Sequence, residues 1–245
     1  MRPLLATVLL SLSLTALPSG LLAGPLPAEA IETADRLVAS GKPANLPKAF
    51  ALYESAAKAG AVWGQYSAAE MLYDGRGVAM DRARAAELYG KAVKQGNAWA
   101  HYKLGAMLLN GDGIAADPAQ GVKLLGVAAK QGIFWADYAL GDAYLQGQTI
   151  EQDLSKAKSH LTRAAEQNNP WALLRLGEMH RDGLGVTADQ AKALTLLEQS
   201  AVQKNSFAML ALAKLLKESD PARAKSLLQE AAALGNGEAQ AALNQ

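Results

Sequence analysis

Apolar residues recur at helical spacing along most of this chain, in short stretches that stop and restart. Between residues 98 and 109 the apolar positions are separated by steps of four, three and one, which places them on one stripe of an amphipathic helix. This first stripe consists of Ala100, Leu104, Met107 and Leu108. A second stripe follows and consists of Leu124, Leu125, Ala128 and Ala129. The pattern predicts two consecutive helices.

Residues typical of helix ends separate the two stripes. Asn110-Gly111-Asp112-Gly113 follows the first stripe, and glycine readily takes the left-handed conformation that closes a helix. Asp117-Pro118 precedes the second stripe. This pair favours a helix start, because aspartate accepts from the free N–H groups there and proline fits the first helical position. Gly132 ends the second helix. The segment is therefore expected to form a helical hairpin.

The hairpin recurs along the chain with a period of 36 residues. All four tryptophans lie on this period, and a phenylalanine takes the next position: Trp63, Trp99, Trp135, Trp171 and Phe207. Loop glycines and helix-start aspartates follow the same period: Gly75, Gly111, Gly147, Gly183, Asp81, Asp117, Asp153 and Asp189. Self-similarity at such a period is the signature of a solenoid. We therefore predict an all-α fold, an α-solenoid of helical hairpins.

The period divides residues 24–245 into hairpins, with no linker long enough to separate two domains. Full hairpins are expected near residues 62–96, 98–132, 134–168, 170–204 and 206–235. A looser hairpin near 31–60 precedes them, with helices at Ile31–Ser40 and Pro47–Lys58, and a short C-terminal cap is expected at 238–243. Small residues such as Gly141 let helix axes approach closely, so Gly141→Leu should overpack its helix junction.

The unit from Ala98 to Ile133 resembles the Sel1-like repeat, a relative of the tetratricopeptide repeat. The similarity rests on Ala-x-Ala-x-Tyr-x-Leu-Gly, then Asn-Gly-Asp-Gly-Ile, then Ala-Ala-Lys-Gln-Gly. It covers nearly all of the chain after the N-terminal segment, although the third unit departs at Gly147-Gln148-Thr149 and the fifth lacks the glycine loop. The resemblance implies a right-handed superhelix of antiparallel helix pairs that acts as an adaptor or regulator, in bacteria often within the cell envelope.

The N-terminal segment has the pattern of a secretory signal peptide. Arg2 precedes an apolar run from Leu4 to Leu17, and small residues continue to Ala23. We expect a signal peptide at residues 1–23, with cleavage after Ala30 as the alternative. The run is short for the roughly 20 residues that span a bilayer, which disfavours a retained anchor. The expected location is the bacterial periplasm, with no stable membrane insertion after signal removal.

Composition and charge narrow the class of partner. The chain has 24 basic and 23 acidic residues, a net charge of +1, and removal of Arg2 with the signal peptide brings the balance to zero. This balance argues against nucleic acid or a membrane surface as the main partner. The chain has no cysteine, so packing rather than disulfides must stabilise it, and the disulfides of cysteine-rich repeat proteins that act on penicillins have no counterpart here.

Aromatic residues of the first helices form the candidate binding site, which we call the aromatic track. It consists of Trp63, Tyr66, Trp99, Tyr102, Trp135, Tyr138, Trp171 and Phe207. Each tryptophan is rotated about 100° from the core stripe. The tyrosines stand three residues after the first three tryptophans and share their face. By analogy with related arrays, this face would line a concave groove for an extended peptide, a helix or sugar rings. The alternative is that the rings pack between neighbouring first helices.

Three functions follow from these patterns. We favour a non-enzymatic adaptor or regulator of an envelope assembly or sensor, which holds a protein partner on the aromatic track. The alternative is binding of a glycan or cell-wall fragment on the same rings. A hydrolase ranks third, because the S-x-x-K motif at Ser55-Ala56-Ala57-Lys58 lacks its companion motifs.

The histidines are weaker candidates for a site. His101, His160 and His180 are expected to be packed or hydrogen-bonded in the core. His160 and His180 lie on consecutive helices, but even with Asp182 they would need further ligands to bind a metal. We therefore predict no catalytic residue, no metal and no cofactor.

Overall fold

The computed structural model describes residues 26–244, which form thirteen α-helices and no strand. The first six are α1 Pro27–Ala39, α2 Leu46–Lys58, α3 Val62–Asp74, α4 Arg82–Lys94, α5 Ala98–Asn110 and α6 Pro118–Lys130. The others are α7 Phe134–Gln146, α8 Leu154–Glu166, α9 Pro170–Asp182, α10 Gln190–Val202, α11 Ser206–Leu216, α12 Pro221–Ala233 and α13 Gly237–Leu243. The predicted all-α architecture is confirmed.

Local sequence explains where the helices begin and end. The second helix of each later hairpin starts after an aspartate whose carboxylate accepts a backbone N–H three residues on: Asp81, Asp117, Asp153, Asp189 and Asp220. Four first helices end at a glycine in the left-handed conformation: Gly75, Gly111, Gly147 and Gly183. These contacts satisfy backbone groups that a helix end leaves free.

The N-terminal hairpin differs in detail from the prediction. Helix α1 begins at Pro27 rather than at Ile31, because proline fits the first helical turn and Ala30 is already buried. A single turn of 3₁₀ helix, Pro43–Asn45, leads into α2, which begins at Leu46. The expected signal peptide at residues 1–23 lies outside the described residues. Within those residues, no helix is both long and apolar enough to cross a bilayer.

The hairpins stack in two layers, and neighbouring first helices lie closer together than neighbouring second helices. The two helices of one hairpin pack most extensively on each other, and each second helix packs less extensively on the first helix of the next hairpin. First helices also contact first helices one hairpin on, as in α5–α7, α7–α9 and α9–α11. No two second helices within residues 26–244 pack to the same extent. The first helices therefore form the inner, concave layer of an α-solenoid, and the second helices form the outer layer.

Small residues allow the two helices of a hairpin to cross closely. A Cβ atom added to Gly141 would lie 2.7 Å from Cγ of Leu161 and 3.0 Å from its backbone nitrogen. Gly105 and Gly177 face Leu125 and Leu197 in the same way. Because each leucine fills the space over a glycine, the first and second helices of a hairpin can pack closely.

Candidate functional site

The aromatic track lies on the inner layer and is built from pairs within one helix. The tryptophans of α3, α5 and α7 each meet the tyrosine three residues later edge to face, as helical spacing predicts. The ring centroids are 5.8 Å apart in Trp63–Tyr66 and 6.3 Å apart in both Trp99–Tyr102 and Trp135–Tyr138. The track therefore presents three similar aromatic units along α3, α5 and α7.

The rings differ in exposure along the track. Trp63 is 51% exposed, Trp99 is 36% exposed and Phe207 is 49% exposed, whereas Trp135 and Trp171 are partly buried. The rings of Trp171 and Phe207 lie 5.5 Å apart across two repeats, and Trp171 packs against the C-terminal core. The two sequence interpretations thus each describe part of the track: some rings are accessible, and others pack between first helices.

A groove runs beside the track across α5, α7 and α9. This neutral section has a volume of about 390 Å³, within the range of ligand pockets. Its aromatic walls are Tyr102, Trp135, Tyr138 and Trp171. Its polar rim consists of Asn110, Gln146, Gln148 and Thr149, and its one charged residue is Asp142. The loop that departs from the repeat pattern after Gly147 thus supplies two of its polar groups.

The groove continues across α9 and α11. This ion-rich section has a volume of about 860 Å³ and shares Trp171 with the neutral section, so the two sections adjoin at this ring. Phe207 and Leu210 supply apolar surface, and the charged lining consists of Arg175, Glu178, Arg181, Asp182, Lys214 and Glu238. Five residues of the aromatic track line the groove: Tyr102, Trp135, Tyr138, Trp171 and Phe207.

The inner-layer charges are paired with a fixed register between repeats. Nζ of Lys103 lies 3.1 Å from Glu70, and Nε of Arg175 lies 2.7 Å from Asp142. Both basic residues stand 33 positions after their partners, at the same place in the repeat. Between these two pairs the equivalent positions are Ala106 and Ala139, and both alanines line the neutral section. The alternation of charged and alanine pairs explains why that section has a single carboxylate.

Asp142 and Arg175 form the centre of this network. Oδ2 of Asp142 accepts a hydrogen bond from Gln146 at 2.6 Å, and Arg175 also contacts Glu178 at 3.1 Å. Burial alone would lower the pKa of Arg175, but the two carboxylates raise it. Burial raises the pKa of Tyr138 to about 12, so its phenol is protonated at neutral pH and can act as a hydrogen-bond donor.

Several residues that line or border this groove were not among the predicted site residues. Asn110, Gln146 and Arg175 lie on the same inner face as the tryptophans, because they follow a tryptophan by 11, 11 and 4 positions. That spacing was the available signal. Gln148 and Thr149 lie in a loop, where helical periodicity does not indicate which face a side chain lies on.

The histidines belong to the packing between helices. Nδ1 of His101 lies 2.8 Å from the carbonyl oxygen of Asn97, and Nδ1 of His160 lies 2.8 Å from Asp137. His180 is buried, and burial followed by the charge of Lys192 lowers its pKa. Among residues 26–244, no group of three or more potential ligands is placed to bind a metal. In the S-x-x-K string, Lys58 contacts Glu54 at 2.9 Å.

Stacked helical hairpins with a groove on the inner layer define this protein as a helical-repeat solenoid. The chain belongs to the Sel1 repeat family, whose model matches it six times. The matched residues are 38–60, 64–97, 100–133, 136–169, 172–205 and 207–236. Proteins of this family are typically scaffolds for protein–protein interactions and are generally non-catalytic.

Solved structures show the same architecture. A Sel1 repeat protein from Oxalobacter formigenes is 25% identical, with a TM-score of 0.77, over 87% of this chain and 86% of that one. A protective antigen of uropathogenic Escherichia coli is 27% identical, with a TM-score of 0.61, over 89% of this chain but only 56% of its own. An immunity protein from Pseudomonas aeruginosa shares the fold at 22% identity and a TM-score of 0.54, over 82% and 76% of the two chains. None of the curated proteins matches this sequence.

Proposed function

We propose that this protein is an exported, non-enzymatic adaptor of the bacterial cell envelope that holds a protein partner in its inner groove. The observation that carries the proposal is the extent of the groove: two sections adjoin at Trp171 and follow one line of aromatic rings across α5, α7, α9 and α11. Tryptophan, tyrosine and arginine dominate the binding energy of many protein interfaces, and all three residue types line this groove.

Export is the second part of the proposal and rests on the N-terminal sequence. A basic residue, an apolar run and small residues up to Ala23 support a signal peptide. N-terminal sequencing of the protein recovered from the periplasm tests this part. A new terminus after position 23 or 30 supports it, and recovery of the intact chain from the cytoplasm contradicts it.

The groove is tested by affinity capture from an envelope extract. The test variant combines Trp135→Ala and Phe207→Ala, so that each section of the groove loses one aromatic wall. The matched control is Val202→Ala on α10, which removes an apolar side chain that is 81% exposed. Circular dichroism first establishes that both variants are helical. A partner retained by the native protein and the control but lost with the test variant supports the adaptor function, whereas equal capture by all three contradicts it.

A glycan ligand is the second candidate, and the exposure of Trp63 and Trp99 favours it, since amphipathic rings can stack on sugar faces. Titration with cell-wall oligosaccharides tests it through tryptophan fluorescence. Saturable quenching that disappears in a Trp63→Ala, Trp99→Ala variant would support this candidate. A flat titration would exclude the oligosaccharides used.

A further inference from the structure

Every charged side chain that lines the two groove sections already has an oppositely charged partner. Asp142 and Glu178 both contact Arg175, at 2.7 and 3.1 Å. Arg181 contacts Asp182 at 2.7 Å, and Lys214 contacts Glu238 at 3.6 Å. Each of the four carboxylates and three basic groups in the lining therefore has a partner, with Asp142 and Glu178 sharing Arg175.

This pairing determines which ligand the groove accepts at low cost. A charged ligand side chain would have to lose water and compete with existing pairs, of which those of Arg175 with Asp142 and Glu178 are the least exposed. Burial of an ion without a partner is unfavourable. An uncharged segment leaves the pairs intact and covers the aromatic walls. The groove therefore disfavours charged ligand side chains of either sign and does not select for one sign of charge.

The polar rim of the neutral section indicates the conformation of the ligand. Asn110, Gln146, Gln148 and Thr149 place amide and hydroxyl groups in the lining of the groove, and the Gln146 amide also donates to Asp142. An extended peptide presents backbone N–H and C=O groups that need partners. A helix satisfies these groups internally, so it would cover the polar rim without pairing with it, at a desolvation cost.

From the paired charges and the amide rim we propose that the groove binds an uncharged peptide segment in extended conformation. The proposal rests on the adaptor function and specifies the partner's chemistry. The groove spans three steps between first helices, from α5 to α11, or about 30 Å at roughly 10 Å per step. At about 3.3 Å per residue, an extended segment of about nine residues fills it. Its side chains are apolar, aromatic, hydroxyl or amide groups, without Asp, Glu, Lys or Arg.

Three pools of random nine-residue peptides test the proposal against residues 24–245. One pool is uncharged, one includes Asp and Glu, and one includes Lys and Arg. Retention is measured in about 50 mM and about 500 mM NaCl, because salt screens exposed charges. We expect enrichment from the uncharged pool, with a salt-dependent change of less than about two-fold. Preferential retention of either charged pool, or no retention of any pool, would overturn the proposal.

Two variants probe the two observations separately. Asn110→Ala combined with Gln146→Ala removes part of the amide rim and should lower retention of the uncharged pool about ten-fold, which corresponds to about 1.4 kcal/mol. The matched control, Gln199→Ala on the outer helix α10, should leave retention unchanged. Arg175→Gln deprives Asp142 and Glu178 of their cation, so it should shift preference toward the basic pool. Retention of uncharged peptides that is insensitive to both groove variants would contradict binding in this groove.

The failure of this inference differs from the failure of the adaptor function. If the envelope partner depends on Trp135 and Phe207 but the peptide pools are not retained, the adaptor function stands and the inference falls. If uncharged peptides bind as expected but no envelope partner depends on these two residues, the inference stands and the adaptor function falls.

Discussion

The indole of Trp171 and the phenyl ring of Phe207 lie 5.5 Å apart, at the same position in consecutive repeats. This contact joins α9 to α11 on the inner layer, and Trp171 also packs against the C-terminal core. Trp63 instead meets Tyr66 in its own helix and is half exposed. The same repeat position therefore packs a ring between repeats at Trp171 and leaves a ring accessible at Trp63.

Tryptophan substitutions at the two ends should differ in their effect on stability. Trp171→Ala should lower the free energy of unfolding by about 2 kcal/mol, because it removes a partly buried ring that bridges two repeats. Trp63→Ala should cost less than about 1 kcal/mol, since half of the ring is already in water. Chemical denaturation of both variants measures the difference. Equal costs would show that the packing does not differ along the track.

Gly141 should tolerate no larger side chain, because Leu161 occupies the space over it. Gly141→Ala places a Cβ atom within 3.0 Å of Leu161 and should cost about 1 to 3 kcal/mol of unfolding free energy, with Gly141→Leu costing more. Gly126 is the matched control, since an added Cβ there meets nothing within 4 Å. Gly126→Ala should stabilise the protein by about 0.5 to 1 kcal/mol. A neutral Gly141→Ala would contradict the close helix crossing.

The protein should become more stable when Lys204 is replaced by glycine. Lys204 has a φ of 65°, whereas three equivalent loop positions are glycines with φ between 80° and 89°: Gly60, Gly96 and Gly132. Another equivalent position is Asn168, with a φ of 57°, and asparagine tolerates this conformation better than lysine does. The left-handed conformation costs a residue with a side chain roughly 1–2 kcal/mol. Part of this returns as chain entropy, so Lys204→Gly should add about 0.5 to 1 kcal/mol. The reverse change, Gly96→Lys, should lose a comparable amount, and thermal unfolding measures both.

Asp137 should make stability sensitive to acid. Burial alone would raise its pKa, but hydrogen bonds from His160 and Arg163 and the charge of Arg163 lower it below the usual 3.8. A lowered carboxyl pKa stabilises the folded state above pH 3.8, and this contribution is lost as the pH falls through the lower folded-state value. Asp137→Asn should cost about 1 to 3 kcal/mol at neutral pH and flatten the decline of stability below about pH 4.

The control for Asp137 is Glu166→Gln, at an exposed position near the end of the same hairpin. It should leave both the neutral-pH stability and the acid profile nearly unchanged. If Asp137→Asn leaves the acid profile as steep as in the native protein, another carboxylate governs the acid transition.

Repeat register could have predicted more of the site than it did. Lys103 with Glu70 and Arg175 with Asp142 are each 33 residues apart, so one observed pair would have identified the other. The repeat register alone could not predict that every charged side chain in the groove has an oppositely charged partner. This complete pairing also depends on Lys214 meeting Glu238 of the terminal helix, which lies outside the 36-residue period.

The sequence by itself determined the architecture of this protein. Alternating apolar stripes, helix-start aspartates and loop glycines act over a few residues, and their period of 36 residues repeats one hairpin along the chain. Only the tertiary structure decided which aromatic rings remain accessible and which charges find partners. These properties depend on the distances between helices that are well separated in the sequence, because exposure and ion pairing are set largely by packing between helices rather than by a residue's own helix.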